Sequence, residues 1–433
     1  MRVLIFLFLT AAGLLPAQDL STLDQMMKTT LSRQKIPGLA VAAVKDGRVV
    51  YAKGFGVLSV EAPAAVTADS LFRVGSTTKV MVAAAVLKLA EQGRLRLDAP
   101  VGNYIVGLDP KIAQLTAHQL LSHTAGLIEE VKTNGPHDDE NLARNVSSWT
   151  GSLLFTEPGK VFSYSNLGYV LAGRLIEVVK GEPFADVMDE LVFQPLGMKS
   201  TTFRPTLAMT YTLAQGHSAG KVVRPLADHA GYWPAGSMFT SANDFARFVA
   251  AFLNGGKIGD EELLSPWLVD ALSQSRAIIR GPEPTEYAYG LEILNGEDTR
   301  FFRHSGARVG YTSAVVMAPE FKTGVIVLAN RDGVDPAVLA QRIVERILPV
   351  IFVPLAEPAP VPPPDLSKYA GKYSNGAQSL EIGSSEGKLT ADTGSGEAVP
   401  LEPWGPDCFK KDAVSVCFSE GYAHLGDRSL LKQ

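Results

Sequence analysis

Cysteine is nearly missing from this chain: Cys408 and Cys417 are the only two in 433 residues. They form no metal-ligand cluster, and the seven histidines contain no H-E-x-x-H pair. With no G-x-x-x-x-G-K-[ST] loop either, zinc-peptidase and P-loop chemistries are excluded, and no metal or cofactor is expected. An excess of either charge is also lacking, since 40 Lys and Arg face 45 Asp and Glu for a net charge of −5. No basic stripe interleaves with aromatics, so neither nucleic acid nor an anionic membrane surface is an expected partner. Long apolar runs are scarce. The run Val3 to Leu15 falls short of the roughly 20 residues a membrane span needs, and no other stretch comes closer. With Arg2 before it and Pro16-Ala17 ahead of polar Gln18-Asp19, residues 1–17 read as a secretory signal cleaved near Ala17. That predicts an exported protein, periplasmic or secreted, with no membrane span after cleavage.

The remaining chain is 46% apolar over the whole sequence, enough for one large core and a small second unit. Composition breaks at Pro354 to Pro364, where repeated prolines exclude helix and inner strand. This divides the chain into a main domain at 18–352, a linker at 353–364 and a small β domain at 365–433. Both cysteines lie in the last unit, flanking a hairpin end at Lys410 to Ala413. Export permits a disulfide there, and two reduced, packed thiols are the alternative.

In the main domain, Leu39 to Val44, the turn pair Asp46-Gly47 and Arg48 to Lys53 read as a hairpin. A second hairpin is expected from Thr312 to Met317, Pro319 to Lys322 and Gly324 to Asn330, followed by a helix over Ala337 to Leu348. The middle is mostly helical. The pattern predicts an α+β domain: one antiparallel sheet built from both ends, flanked by helices, beside a helical lobe. The cleft between the two is the natural site.

Ser76 and Lys79 stand three residues apart, directly before the apolar run Val80 to Leu89, so a hydroxyl and an amine share one face of a helix start. A serine hydroxyl needs a base to take its proton, and a lysine serves only if desolvation or nearby positive charge lowers its pKa. A helix N-terminus disfavours a protonated lysine and offers unpaired N–H groups to an oxyanion. The same S-x-x-K spacing recurs at Ser32/Lys35, Ser218/Lys221, Ser385/Lys388 and Ser429/Lys432, but only Ser76 opens a long apolar helix, closed near Gly93.

Two further motifs follow. Tyr164-Ser165-Asn166 precedes the helix pattern Leu167 to Val179; a phenol beside a Ser/Lys pair can shuttle the proton to the leaving group, and Asn166 can orient the lysine or a substrate amide. A second copy at Tyr373-Ser374-Asn375 has no helix after it and reads as a turn. His304-Ser305-Gly306-Ala307 stands just before a strand. Gly306 lets substrate approach, the N–H of Ala307 is placed to complete an oxyanion hole with that of Ser76, and His304 can hydrogen-bond Lys79, Tyr164 or an acyl group.

S-x-x-K, Y-x-N and H-x-G in that order, with Leu120-Leu121-Ser122-His123-Thr124-Ala125-Gly126-Leu127 between the first two, resemble the penicillin-recognising serine hydrolases. That group includes class C β-lactamases, D-alanyl-D-alanine carboxypeptidases, D-aminopeptidases and esterases, and the resemblance runs over residues 20 to 350. It implies a β-lactamase/transpeptidase-like fold with Ser76 as nucleophile, Lys79 as base, Tyr164 as proton shuttle, and Asn166 and His304 lining the cleft. It implies substrates that are β-lactams, peptidoglycan-derived D-amino-acid peptides or small esters. His123 lies in a segment that reads as structural. Class C enzymes usually carry Lys-Thr-Gly where this chain has His304-Ser305-Gly306, which weakens attraction for a substrate carboxylate; Arg308 could replace that charge. The last unit resembles lipocalin-like appendages, able to cap the cleft or mediate oligomerisation.

Two rivals remain. Gly216-His217-Ser218-Ala219-Gly220 matches the G-x-S-x-G elbow, yet the following Lys221 to Pro225 reads extended rather than helical, which favours a hairpin turn. A noncatalytic cell-wall sensor that is acylated slowly would use the same Ser76 set.

Overall fold

The computed structural model describes residues 21–130, 132–295, 299–348, 365–385, 387–412 and 414–433. The expected signal at 1–17 and linker at 353–364 lie outside them.

Eight antiparallel strands form the main sheet, in the spatial order Arg48–Gly56, Gly38–Lys45, Thr323–Ala329, Tyr311–Ala318, Arg300–Arg308, Glu292–Asn295, Thr285–Tyr287, Ala277–Ile279. Both hairpins form where the sequence places them. Lys45 pairs with Arg48 across Asp46-Gly47, whose φ values of 50° and 72° suit a two-residue turn that follows the strand twist. The first strand then pairs with the last, Leu39 opposite Ala329, so the two ends of the segment meet one strand in from an edge of the sheet.

Side chains alternate between two cores, as the two-residue strand period requires. Leu39, Val41, Val325 and Val327 pack under helices Ser21–Gln34 and Pro336–Ile347 through Leu23, Met27, Leu339 and Ile343. Ala40, Ala42, Ile326 and Leu328 face the helical lobe. At the centre of that lobe runs helix Thr78–Glu91, whose residues Thr78 to Leu87 are all buried. A helix apolar on every side has to sit inside a core, and this burial is what carries Lys79 away from water. Helix Asn166–Lys180 lies beside it and ends at Gly181 with φ 77°, a left-handed cap suited to glycine.

The C-terminal unit is a closed barrel of eight strands from Gly371 to Lys432, filled by Tyr369, Tyr373, Phe409 and Phe418 among others. Cys408 and Cys417 face each other across a hairpin and form a disulfide, which decides a point the sequence left open. In the second Y-S-N copy, Tyr373 and Ser374 end a barrel strand and only Asn375 opens the expected turn, its side chain accepting from the N–H groups of Ala377 and Gln378.

Candidate active site

A single turn of 3-10 helix, Gly75–Thr77, precedes helix Thr78–Glu91 and carries Ser76. Its position is set by backbone contact. Gly75 has φ 56°, and a Cβ there would stand 2.5 Å from the nitrogen of Ala307; a Cβ on Gly306 would overlap the carbonyl oxygen of Val74. Glycine at both places allows the sheet and the nucleophile turn to touch. Strand Arg300–Arg308 is paired with Tyr311–Ala318 from Phe302 to Arg308, but on its other edge only Arg300 to Arg303 meet a strand. The edge from His304 onward is therefore open beside Ser76, and the N–H groups of Ala307 and Ser76 belong to elements that abut there.

Lys79 is fully buried, and its Nζ lies 3.2 Å from Ser76 Oγ, 2.7 Å from Asn166 Oδ1 and 2.5 Å from the carbonyl of Ala235. Burial drives its pKa down to about 7; Glu129 opposes that shift, Arg428 and Arg308 add to it, and Asp427 opposes it. The three neighbours suit a neutral amine. Two N–H bonds satisfy the carbonyl acceptors, and the remaining lone pair faces the serine hydroxyl.

Asn166 is itself held. Its backbone N–H donates to Glu129 Oε2 at 2.7 Å and its Nδ2 donates to Glu129 Oε1, which turns Oδ1 toward Lys79. Tyr164 is buried, and its ring lies 4.8 Å from Lys79 Nζ. Burial raises its pKa and a hydrogen bond with Ser76 opposes the rise, so it rests as a phenol rather than a phenolate.

His304 makes none of the polar contacts considered for it with Lys79 or Tyr164. Its Nδ1 lies 2.6 Å from the carbonyl of Ser305 and its Nε2 lies 3.2 Å from the hydroxyl of Tyr287. His123 Nε2 is 3.2 Å from that same hydroxyl, while its Nδ1 accepts from the N–H of Ser165. Only one proton order satisfies the row: His123 Nε2–H donates to Tyr287, Tyr287 O–H to His304 Nε2, and His304 Nδ1–H to Ser305. Both rings are then neutral, in keeping with burial, which takes His304 down to about 3 and His123 well below its usual value. The ring of His123 stacks 4.2 Å from that of Tyr164, so the segment that read as structural forms the back wall of the site.

The barrel reaches the site too. The N–H of Tyr164 donates to the carbonyl of Asp427 at 2.9 Å, and Ser429 Oγ donates to the carbonyl of Phe162 at 2.7 Å. The Arg428 guanidinium lies 4.6 Å from the Tyr164 ring centre and 3.8 Å from Glu129 Oε1. Ala235, Tyr287, Asp427 and Arg428 carried no signal in the sequence; Glu129 did, since it opens a polar stretch, 129–148, rich in Asn, Asp and Glu, that reads as a cleft edge or an exposed loop. The rival Ser218 sits in a hairpin of two-residue strands, His217–Ser218 and Lys221–Val222, with no helix after it. Among the described residues no cluster of His, Cys, Asp and Glu could hold a metal ion, and no helix is long and apolar enough to cross a membrane.

Residues 23–347 match the family model described as Beta-lactamase. Penicillin-binding protein 4 of Amycolatopsis lactamdurans is 29% identical over 362 residues, covering 78% of this chain and 93% of that protein. Protein flp of Staphylococcus aureus (strain MW2) is 27% identical over 320 residues, covering 71% of this chain and 62% of that protein. The octameric penicillin-binding protein homologue from Pyrococcus abyssi superposes with a TM-score of 0.66 at 25% identity, over 96% of this chain and all of the other.

Proposed function

Because the chain belongs to the Beta-lactamase family, whose members are serine hydrolases working through an acyl-enzyme, we propose that Ser76 is its nucleophile and that it cleaves amide bonds of D-amino-acid peptides or β-lactams. In this reading neutral Lys79 takes the proton of Ser76 as the hydroxyl attacks the acyl carbon. The N–H groups of Ser76 and Ala307 hold the oxyanion, donors worth roughly 2.7–4 kcal/mol each in such sites. Tyr164, as a phenol, passes the proton to the leaving group. Water then releases the acid by the reverse route. Asn166 orients Lys79; Gly306, expected to admit substrate, instead makes room for the Val74 carbonyl and the Ser76 turn; and His304 fixes the far wall of the cleft.

The observation that carries the reading is the placement of Lys79 Nζ between two carbonyl acceptors and Ser76 Oγ. Neutral His304, standing where class C enzymes usually carry lysine, offers no charge to a substrate carboxylate, which argues against efficient β-lactam cleavage. Ester cleavage by the same centre is the second reading, favoured by that same loss of charge. Export and assembly into oligomers, through the barrel or otherwise, complete the proposal; the octameric homologue supports the latter.

Wild type, Ser76→Ala and Ser218→Ala assayed in parallel on nitrocefin, D-alanyl p-nitroanilide and p-nitrophenyl butyrate test both nucleophile and substrate. Loss confined to Ser76→Ala is expected; loss confined to Ser218→Ala moves the nucleophile. One equivalent of product followed by a flat trace identifies the slowly acylated sensor.

A further inference from the structure

Arg308 is the one residue of the open strand edge whose charge the catalytic reading leaves unused. Its Nε and Nη2 are shut off from solvent and have no hydrogen-bond partner, although the residue as a whole keeps some exposed surface. The carboxylate in its neighbourhood is already committed: Asp228 Oδ1 accepts from Arg73, while Oδ2 lies 3.0 Å from both His137 Nδ1 and Trp233 Nε1. The buried guanidinium of Arg73 adds positive charge beside it. Burial lowers the Arg308 pKa to about 10, which leaves it a cation at neutral pH. A buried guanidinium with two idle donors is a costly arrangement unless something anionic arrives to use them.

Strand geometry gives the direction. His304, Gly306 and Arg308 share one face, because alternate residues do. Gly306 and Ala307 abut the Ser76 turn, so His304 and Arg308 lie on opposite sides of the nucleophile, about 13 Å apart at about 3.3 Å per residue. Tyr164 stands on the His304 side, the two ring centres 6.1 Å apart. If Tyr164 serves the leaving group, Arg308 lies beyond the acyl carbon on the other side. We propose that Arg308 binds a carboxylate carried by the acyl half of the substrate, so that the enzyme prefers acyl donors with an anionic tail. This rests on the reading of Ser76 as the acylated residue and Tyr164 as the leaving-group acid.

The test uses two substrates with one leaving group: N-succinyl-D-alanyl-p-nitroanilide and its succinyl methyl ester. Wild type should favour the acid at least tenfold in kcat/KM, Arg308→Gln should lower that ratio fivefold or more, and Arg308→Lys should retain most of it. A wild-type ratio of one or less, or an unchanged ratio in Arg308→Gln, overturns the proposal. Calorimetry on Ser76→Ala gives a reading without turnover and without altering Arg308: it should bind the acid at least tenfold more tightly than the ester, and equal binding overturns the proposal. Failure of the Ser76 reading is seen separately, as undiminished p-nitroaniline release by Ser76→Ala.

Discussion

Acidity of the medium should switch this enzyme off through Lys79. Only the neutral amine can take the serine proton, so activity must rise with pH through the lysine pKa. An ordinary lysine, with a pKa near 10.4, is neutral in only about one molecule in 2,500 at pH 7. Burial takes Lys79 to about 7, which leaves about half the molecules competent and raises the base concentration about a thousandfold. Below that point kcat/KM should fall tenfold per pH unit, to about one hundredth of its plateau at pH 5. His304 does not supply this limb, since burial holds it near 3, and Tyr164 is moved the other way, upward. The charged groups acting on Lys79 are Glu129 and Asp427, which raise its pKa, and Arg428 and Arg308, which lower it. Glu129→Gln should therefore move the acid limb to lower pH and Arg428→Gln should move it to higher pH. The assay is kcat/KM for p-nitrophenyl butyrate from pH 5 to 10, followed at the isosbestic wavelength of the phenol. A flat profile, a limb near 10, or displacement in the same direction by both variants would refute the reasoning.

Gly306→Ala should cut kcat/KM by about a hundredfold or more while the fold persists by circular dichroism, because its methyl overlaps Val74 and pushes Ala307 off the oxyanion. Tyr164→Phe should lower kcat by about 10² to 10⁴ in steady-state assays, the usual contribution of a positioned proton donor. Arg73→Met should cost about 3–5 kcal/mol in urea unfolding, since it leaves the buried Asp228 carboxylate without its cation.

Much of the architecture was legible because its signals are local. A D-G pair between alternating strands, a serine ahead of an all-apolar helix and a glycine after the last turn each act within a few residues, and each formed where expected. The family motifs carried the site further, since Ser76, Lys79, Tyr164 and Asn166 do converge on one point. What was not legible depends on meetings across the chain. Arg428 opens the last barrel strand and reaches Glu129 and Tyr164 only after two units dock, and no spacing in the sequence announces that. The carbonyl of Ala235 is a backbone group and leaves no trace in residue type. His304 was expected to hydrogen-bond the amine, the phenol or an acyl group; it lies beside the phenol ring, but its hydrogen bonds go to Tyr287 and the carbonyl of Ser305.

The central claim is that an acyl group is carried on Ser76. Quenching the enzyme in acid during turnover of a slow p-nitrophenyl ester, then mapping its peptides by mass spectrometry, tests this directly. The account predicts one added acyl mass on the peptide holding Ser76 and none in Ser76→Ala. Acyl mass on Ser218, or the same mass retained in Ser76→Ala, would contradict it.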